Sequence, residues 1–356
     1  MPSVPSAARA ARRDHAIGVA LIVISACGFG SGALFAKPIY AAGVDWLTLL
    51  AWRFLVAAVA SWMWLLVLPG QRAGLRRLSR RRVAVLLALG VLYVGNSGTY
   101  FAALETVPAS LAALIVYIFP ALVAVLSLRF GRPLKGRRAW LALVLASAGV
   151  GLAVGGIPEG SVPPALGLFL TIASPVIYAV WIILAARLGG ERPEQDTAVL
   201  PHDAEGRPVD RETTDPAPAA AVMTTATLAV WWIAALATGR PTTPADIPSE
   251  AWVPLIGVGL VSTAIALQAF YAGSKRIGAA NASLVSTVEP IYTITLATLL
   301  FSEMLTPVQI AGGALVIGGV ILAQTARGGA VAAFEPEALR GVKPASREVV
   351  PESRAE

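Results

Sequence analysis

The sequence predicts an all-α polytopic membrane protein, with ten transmembrane helices arranged as two inverted five-helix repeats. Three observations carry the prediction. The 356-residue chain is 56% apolar and 14% charged, with a mean hydropathy of +0.70, too apolar for a soluble globular protein. Its apolar residues fall into runs near the 20 residues that a bilayer core requires. Its basic residues gather on alternate sides of those runs, and the two halves echo each other at a fixed offset.

Residues 1–15 are small, polar and basic (Arg9, Arg12, Arg13) and read as a cytoplasmic N-terminal tail. The apolar run after them, 16–36, is long for the core of a signal peptide and is followed by further runs, so it is a first spanning helix. Its CGFGSGALFA segment is rich in small residues, which suits close helix approach or a wall facing a solute. Further runs cover about 46–68, 83–104, 109–129 and 137–155, completing a first repeat over 16–155. A second repeat comprises 164–187 and 219–325, with runs at about 164–187, 219–238, 251–273, 279–301 and 306–325. The hairpins Glu105–Pro108 and Ser302–Thr306 are short enough to make their flanking helices antiparallel neighbours. Residues 188–218 are acidic, rich in proline and without apolar periodicity, as expected of a disordered cytoplasmic linker, and 326–356 read as a cytoplasmic C-terminal tail.

Ala109, Ala112, Leu114, Pro120 and Leu126 match Ala279, Ala282, Leu284, Pro290 and Leu296 without a gap. Gly149, Val150, Leu152 and Ala153 match Gly319, Val320, Leu322 and Ala323 at the same offset. The proline pair weighs most, because a proline at equivalent depth in both halves suggests a repeated broken helix. If the N-terminus is cytoplasmic, one side collects the arginines of 72–82, the basic residues of 129–138, Lys275 and Arg276, while the other holds only Lys37 and Arg240. That imbalance puts both termini inside. Five spans per half then give the halves opposite orientations, the inverted arrangement of secondary transporters.

Other classes fit less well. The basic residues sit in short clusters between apolar runs, which argues for topology signals and against a nucleic-acid partner. Cys27 stands alone, and His15 and His202 lie in polar segments without ligand partners, so neither a disulfide nor a metal site is expected. A membrane-embedded enzyme or carrier acting on lipid-linked substrates is the alternative, but the spans lack paired carboxylates, an HExxH-like pattern or a phosphate-cradling loop. No filter signature of a channel is evident.

Three stretches resemble a known family: TLLAWRFLVAA around Arg53, YFAALETVPASLAALIVYIFPALVAVLS from Tyr100 to Ser127, and GAANASLVSTVEPIYTITLATLLFSEMLTPVQIAGGALVIGGVILA. The EP pair and the later SEMLTP of the last are the most telling. The chain closely resembles the EamA family of the drug/metabolite transporter superfamily, over nearly all of the ten spans. The resemblance implies a ten-helix inverted-repeat carrier of the bacterial inner membrane that moves small organic metabolites, often outward, with amino acids and related compounds as frequent substrates. One departure is Arg132, in GRPLKG, near the position where the second repeat has Glu303.

Glu289 lies about ten residues into its run, roughly 15 Å deep at 1.5 Å per residue and near mid-bilayer. There it is either a substrate-amine or proton site, or a structural carboxylate serving the backbone freed around Pro290. Asn96, Tyr100, Tyr117, Tyr178, Trp181, Gln268, Tyr271 and Tyr292 supply polar and aromatic groups for a substrate cavity, each with an interhelical hydrogen bond as its plainer role. Arg53 could snorkel outward, bind a substrate carboxylate or pair with Glu303 at the outer end of the ninth run, of which the pairing is expected, and Pro120 and Pro290 are expected to act as kinks or hinges. Trp62, Trp64, Trp231 and Trp232 are expected to be interfacial-belt or lipid-facing residues. The partners implied are a small-molecule substrate and the bilayer. No cofactor is expected, proton coupling through Glu289 is open, and oligomeric state is not specified.

Overall fold

The computed structural model describes residues 4–67, 74–76, 78–130, 137–157, 162–189, 216–277, 282 and 285–332. In chain order the main helices are α1 (Val4–Ala41), α2 (Trp46–Val67), α3 (Arg80–Leu104), α4 (Ala109–Val116), α5 (Phe119–Phe130) and α6 (Arg137–Gly155). Then follow α7 (Ala165–Gly189), α8 (Pro216–Ala237), α9 (Trp252–Gly259), a π-helical turn (Leu260–Ile265), α10 (Ala266–Ile277), α11 (Val288–Phe301) and α12 (Pro307–Ala332). Among the described residues there is no strand. The expected linker falls mainly on 190–215, and the C-terminal tail mainly on 333–356, both outside the described residues, as is Arg132. Helix α12 carries on to Ala332, past the expected start of that tail, and helix α1 begins at Val4.

Six of the expected spans are helices long and apolar enough to cross a membrane, while Ala109–Val123, Trp140–Val154, Val288–Phe301 and Pro307–Leu322 are shorter apolar helices. The 14 residues of α11 rise only about 21 Å, short of a hydrocarbon core of about 30 Å. The expected fourth run is divided by a turn at Tyr117–Ile118, and α11 is preceded by a turn at Ser286–Thr287. Pro120 is therefore the second residue of α5 and Pro290 the third of α11. In a first turn the missing amide has no helical partner to lose.

Helix ends are satisfied by local side chains. Asp45 accepts from the amides of Leu47 (2.9 Å) and Thr48 (3.2 Å) at the start of α2, and Glu105 accepts from the amide of Trp46 (2.7 Å). Thr306 and Gln309 form a capping box on α12: the Thr306 hydroxyl accepts from the Gln309 amide (3.3 Å) and the Gln309 side chain from the Thr306 amide (2.9 Å). Such caps are worth about 1 kcal/mol each.

Packing pairs helices from the two halves. Helix α1 lies against α10 and α11, α3 against α7 and α8, α2 against α8 and α9, α5 against α7, and α6 against α12. Polar side chains stitch these pairs: Trp232 donates to the Ala51 carbonyl (2.9 Å), Trp181 to that of Leu89 (2.8 Å), and Thr227 to that of Gly90 (2.7 Å). Trp231 is buried, edge-on to Trp46 with ring centroids 5.7 Å apart, and Trp62 donates to Thr225 (2.9 Å). The expectation of lipid-facing tryptophans thus fits the half-exposed Trp64 but fails for Trp231 and Trp232, whose indoles serve helix contacts. Large apolar side chains cover the outside instead, among them Val253 (79% exposed), Leu299 (71%) and Leu166 (68%). Exposed apolar surface on this scale is the lipid-facing exterior of a multi-pass membrane protein.

The α6–α12 seam is built on glycine. A Cβ on Gly149 would lie 2.5 Å from the Gly312 carbonyl oxygen, and one on Gly312 equally close to that of Gly149. Gly151 and Gly318, on the same two helices, have nothing within 4 Å. We expect Gly149→Leu or Gly312→Leu to destabilise the protein by about 1–3 kcal/mol, read as a lower unfolding temperature in detergent, whereas Gly151→Leu and Gly318→Leu leave it unchanged.

Candidate functional site

A cavity of about 140 Å³ is lined by residues of α1, α2, α3, α4, α5, α7, the π turn and the start of α11. Small residues open its floor: Gly30 and Gly32 of the glycine-rich segment in α1 line it, and a Cβ on Gly32 would come within 2.7 Å of the Ser262 hydroxyl. The glycines of that segment therefore serve both of the roles read from the sequence, close helix approach and cavity wall.

One face of α3 forms much of the wall. Tyr93, Asn96 and Tyr100 are three and four residues apart, so they project together. Ser174 of α7 donates to Asn96 Oδ1 (3.0 Å), and Tyr178 lines the cavity with Phe119, ring centroids 4.8 Å apart. Tyr117, at the turn between α4 and α5, also lines it and donates to the Ser286 carbonyl (2.5 Å).

Glu289 and Pro290 enter from the first turn of α11. The Glu289 carboxylate makes no hydrogen bond or ion pair with any described residue, while its carbonyl accepts from the Thr293 hydroxyl (3.0 Å). The helix dipole favours a carboxylate at this end by at most about 2 kcal/mol, which offsets only part of the cost of an unpaired buried charge.

Arg53 is 6% exposed and lines the same cavity. Its Nε donates to the Thr263 hydroxyl (2.9 Å), its guanidinium carbon lies 4.4 Å from the centre of the Phe101 ring, and Nη1 is buried without a partner among the described residues. The expected pairing with Glu303 is not made. Glu303 instead reaches across to the start of α4, accepting from the amides of Ala109 (3.1 Å) and Ser110 (2.9 Å) and from the Ser110 hydroxyl (2.8 Å). The reason is geometric: the hairpin carrying Glu303 lies over the first turn of α4, whose free amides offer a carboxylate two donors at once. Arg53 and Glu289 are the only charged side chains among the described lining residues.

Of the other candidates, Tyr292 and Trp181 stand behind the wall. Tyr292 shares a hydrogen bond with Ser31 (3.0 Å), and Trp181 stacks on Tyr178. Gln268, on α10, does not line the cavity, and its Nε2 is buried and unpartnered among the described residues. Nothing is described for the side chains of Tyr271 and Pro120. Sequence reasoning missed Tyr93, Phe119, Ser174 and Thr293. For Tyr93 a signal existed, since it shares the helical spacing of Asn96 and Tyr100. Among the described residues no three potential metal ligands gather.

Comparison with known proteins agrees with this architecture. An uncharacterized transporter from Archaeoglobus fulgidus is 25% identical over 316 residues, which cover 86% of this chain and 96% of that protein. A solved crystal structure at 18% identity and TM-score 0.56, covering 88% of this chain and 97% of that one, shares the fold. Residues 16–155 and 211–325 match the model of the EamA-like transporter family, and since these make up most of the sequence, the chain belongs to that family, within the drug/metabolite transporter superfamily.

Proposed function

We propose that the protein is a secondary transporter that exports small organic metabolites carrying an amine, amino acids among them, by alternating access around the cavity at Glu289. The observation that carries the reading is a carboxylate with no described partner of its own in a cavity lined mainly by aromatic and uncharged polar side chains, with Arg53 as the other charged group. At membrane depth an ionisable group without a partner is expensive, and a cationic solute group or a proton is what relieves the expense. The aromatic wall suits the apolar part of such a solute. No cofactor is needed.

In this reading the chain forms ten spans in two inverted repeats, with both termini on the cytoplasmic side of the bacterial inner membrane. The helix neighbours support it. Exchanging α1 with α7, α2 with α8, α3 with α9–α10, α5 with α11 and α6 with α12 maps the pair α1–α10 onto α7–α3 and α1–α11 onto α7–α5. It maps α2–α9 onto α8–α3, and leaves α2–α8 and α6–α12 unchanged, as a two-fold relation requires. The charges support it too. Lys37 and Arg240, the basic residues of the sparse side, sit at one end: Lys37 donates to the carbonyls of Leu104 (3.0 Å) and Val107 (2.7 Å), and Arg240 pairs with Asp45 (3.7 Å). Asp14 and Arg276 pair (3.2 Å) at the other end of α1.

Two outcomes are expected. In proteoliposomes, saturable flux of amino acids falls at least tenfold in Glu289→Gln while the variant keeps the wild-type unfolding temperature. Unchanged flux would return Glu289 to a purely structural role. In a Cys27→Ala background, Arg240→Cys is labelled by an impermeant maleimide in intact cells, whereas Asp14→Cys is labelled only after permeabilisation. The opposite pattern would invert the orientation.

A further inference from the structure

The sequence LVSTAI of residues 260–265 winds as a π-helical turn between α9 and α10. A π turn inserts an extra residue, and without it the residues that follow would be rotated by about 100°. Close packing holds the turn in place. A Cβ on Gly28 of α1 would lie 3.0 Å from the Val261 carbonyl oxygen, one on Gly259 would lie 2.8 Å from that of Arg53, and the Ser25 hydroxyl donates to the Ala266 carbonyl (2.7 Å). Within the turn, the Thr263 hydroxyl donates to the Val258 carbonyl five residues back (3.0 Å), which commits its single proton. Its oxygen is left to accept, and the donor it takes is Arg53 Nε (2.9 Å).

Arg53 carries five N–H donors, of which only that on Nε has an acceptor among the described residues. The phenyl ring of Phe101 under the guanidinium supplies attraction but accepts no conventional hydrogen bond. The side chain is nine-tenths buried, lines the cavity, and has no acidic partner among the described residues. We infer that Arg53 is an anion subsite for a solute carboxylate, and that Thr263, through the π turn, is the positioning residue that aims it. A guanidinium fork pinned at Nε presents its remaining edge in one fixed plane, the geometry that two carboxylate oxygens match. With Glu289 as the opposite pole, the cavity takes a solute that carries both charges. The inference rests on the reading of the cavity as the solute site.

The test separates the two poles. The full chain in detergent is titrated with 4-methylpentanoate, which has only the carboxylate, and with 3-methylbutylamine, which has only the amine, and the dissociation constant is read from the shift in unfolding temperature. Wild type binds both. Thr263→Val weakens the carboxylate probe about tenfold relative to the amine probe, and Thr263→Ser restores the ratio. Should Thr263→Val fail to fold, Arg53→Lys, which keeps the charge without the fork, produces the same selective loss. A structural lesion would weaken both probes alike, and that result overturns the inference. Binding of the amine alone to wild type overturns the subsite and leaves the proposed function standing, whereas binding of neither overturns both.

Discussion

The hydrogen bond from the Tyr117 hydroxyl to the Ser286 carbonyl, 2.5 Å long, joins the two places where a helix is interrupted beside the cavity. In hydrocarbon each unpaired backbone group costs several kcal/mol, so a break in a spanning segment persists only where something else satisfies the chain. Here the turns are tight. The Ile118 amide donates to Ile115 (3.2 Å), that of Ala121 to Ile118 (3.0 Å), and that of Glu289 to Ser286 (3.0 Å). The Ser286 carbonyl therefore serves its own segment and the opposite one together.

That constraint explains why the two carboxylates in and just after the expected ninth span, Glu289 near its middle and Glu303 beyond its outer end, have different environments. Both lie by helix N-termini, where amides outnumber acceptors. Glu303 takes the free amides of another helix, α4, and so ties the 302–306 hairpin to the 105–108 hairpin's end of the first half. Glu289 is in the first turn of its own helix, and no described donor occupies its oxygens. One carboxylate is consumed by the fold, and the other is left to the cavity.

Much of this was legible in the sequence because it follows from burial and periodicity. The apolar runs, the short hairpins, and the placement of Glu289, Asn96, Tyr100, Tyr117 and Tyr178 in the spans all rest on local pattern, and the structure brings these five residues to one cavity. What was not legible depends on contacts between distant residues. A proline within an apolar run is compatible with a kink or with a restarted helix, and only the packing of α4 and α11 decides that Pro120 and Pro290 follow a break. Arg53, about seven residues inside its run, and Glu303, at the outer end of its own, have opposite charges toward the same face, which is all a sequence can weigh. Residue 303 is 193 positions from Ser110, its actual partner, and 210 separate Arg53 from Thr263. The π turn has no compositional signature at all, since LVSTAI would serve equally in a regular helix.

The energetics of Arg53 bear on what such a site is for. A buried guanidinium short of acceptors destabilises the fold, and an apolar residue of similar volume at that place would relieve the cost. The rings of Phe101 and Phe54, at 4.4 and 5.3 Å, offset part of it, since a desolvated cation–π contact is worth about 2 kcal/mol. The Thr263 bond satisfies one donor and holds the side chain in a single orientation, which lowers its entropy without removing its hunger for acceptors. Under the proposed anion subsite, such a group lowers stability in the empty protein and a bound carboxylate would recover it, so the energy left unsatisfied would become affinity. The same reasoning applies with opposite sign to Glu289, and the coexistence of both deficits in one small cavity is what the proposed two-pole solute would relieve.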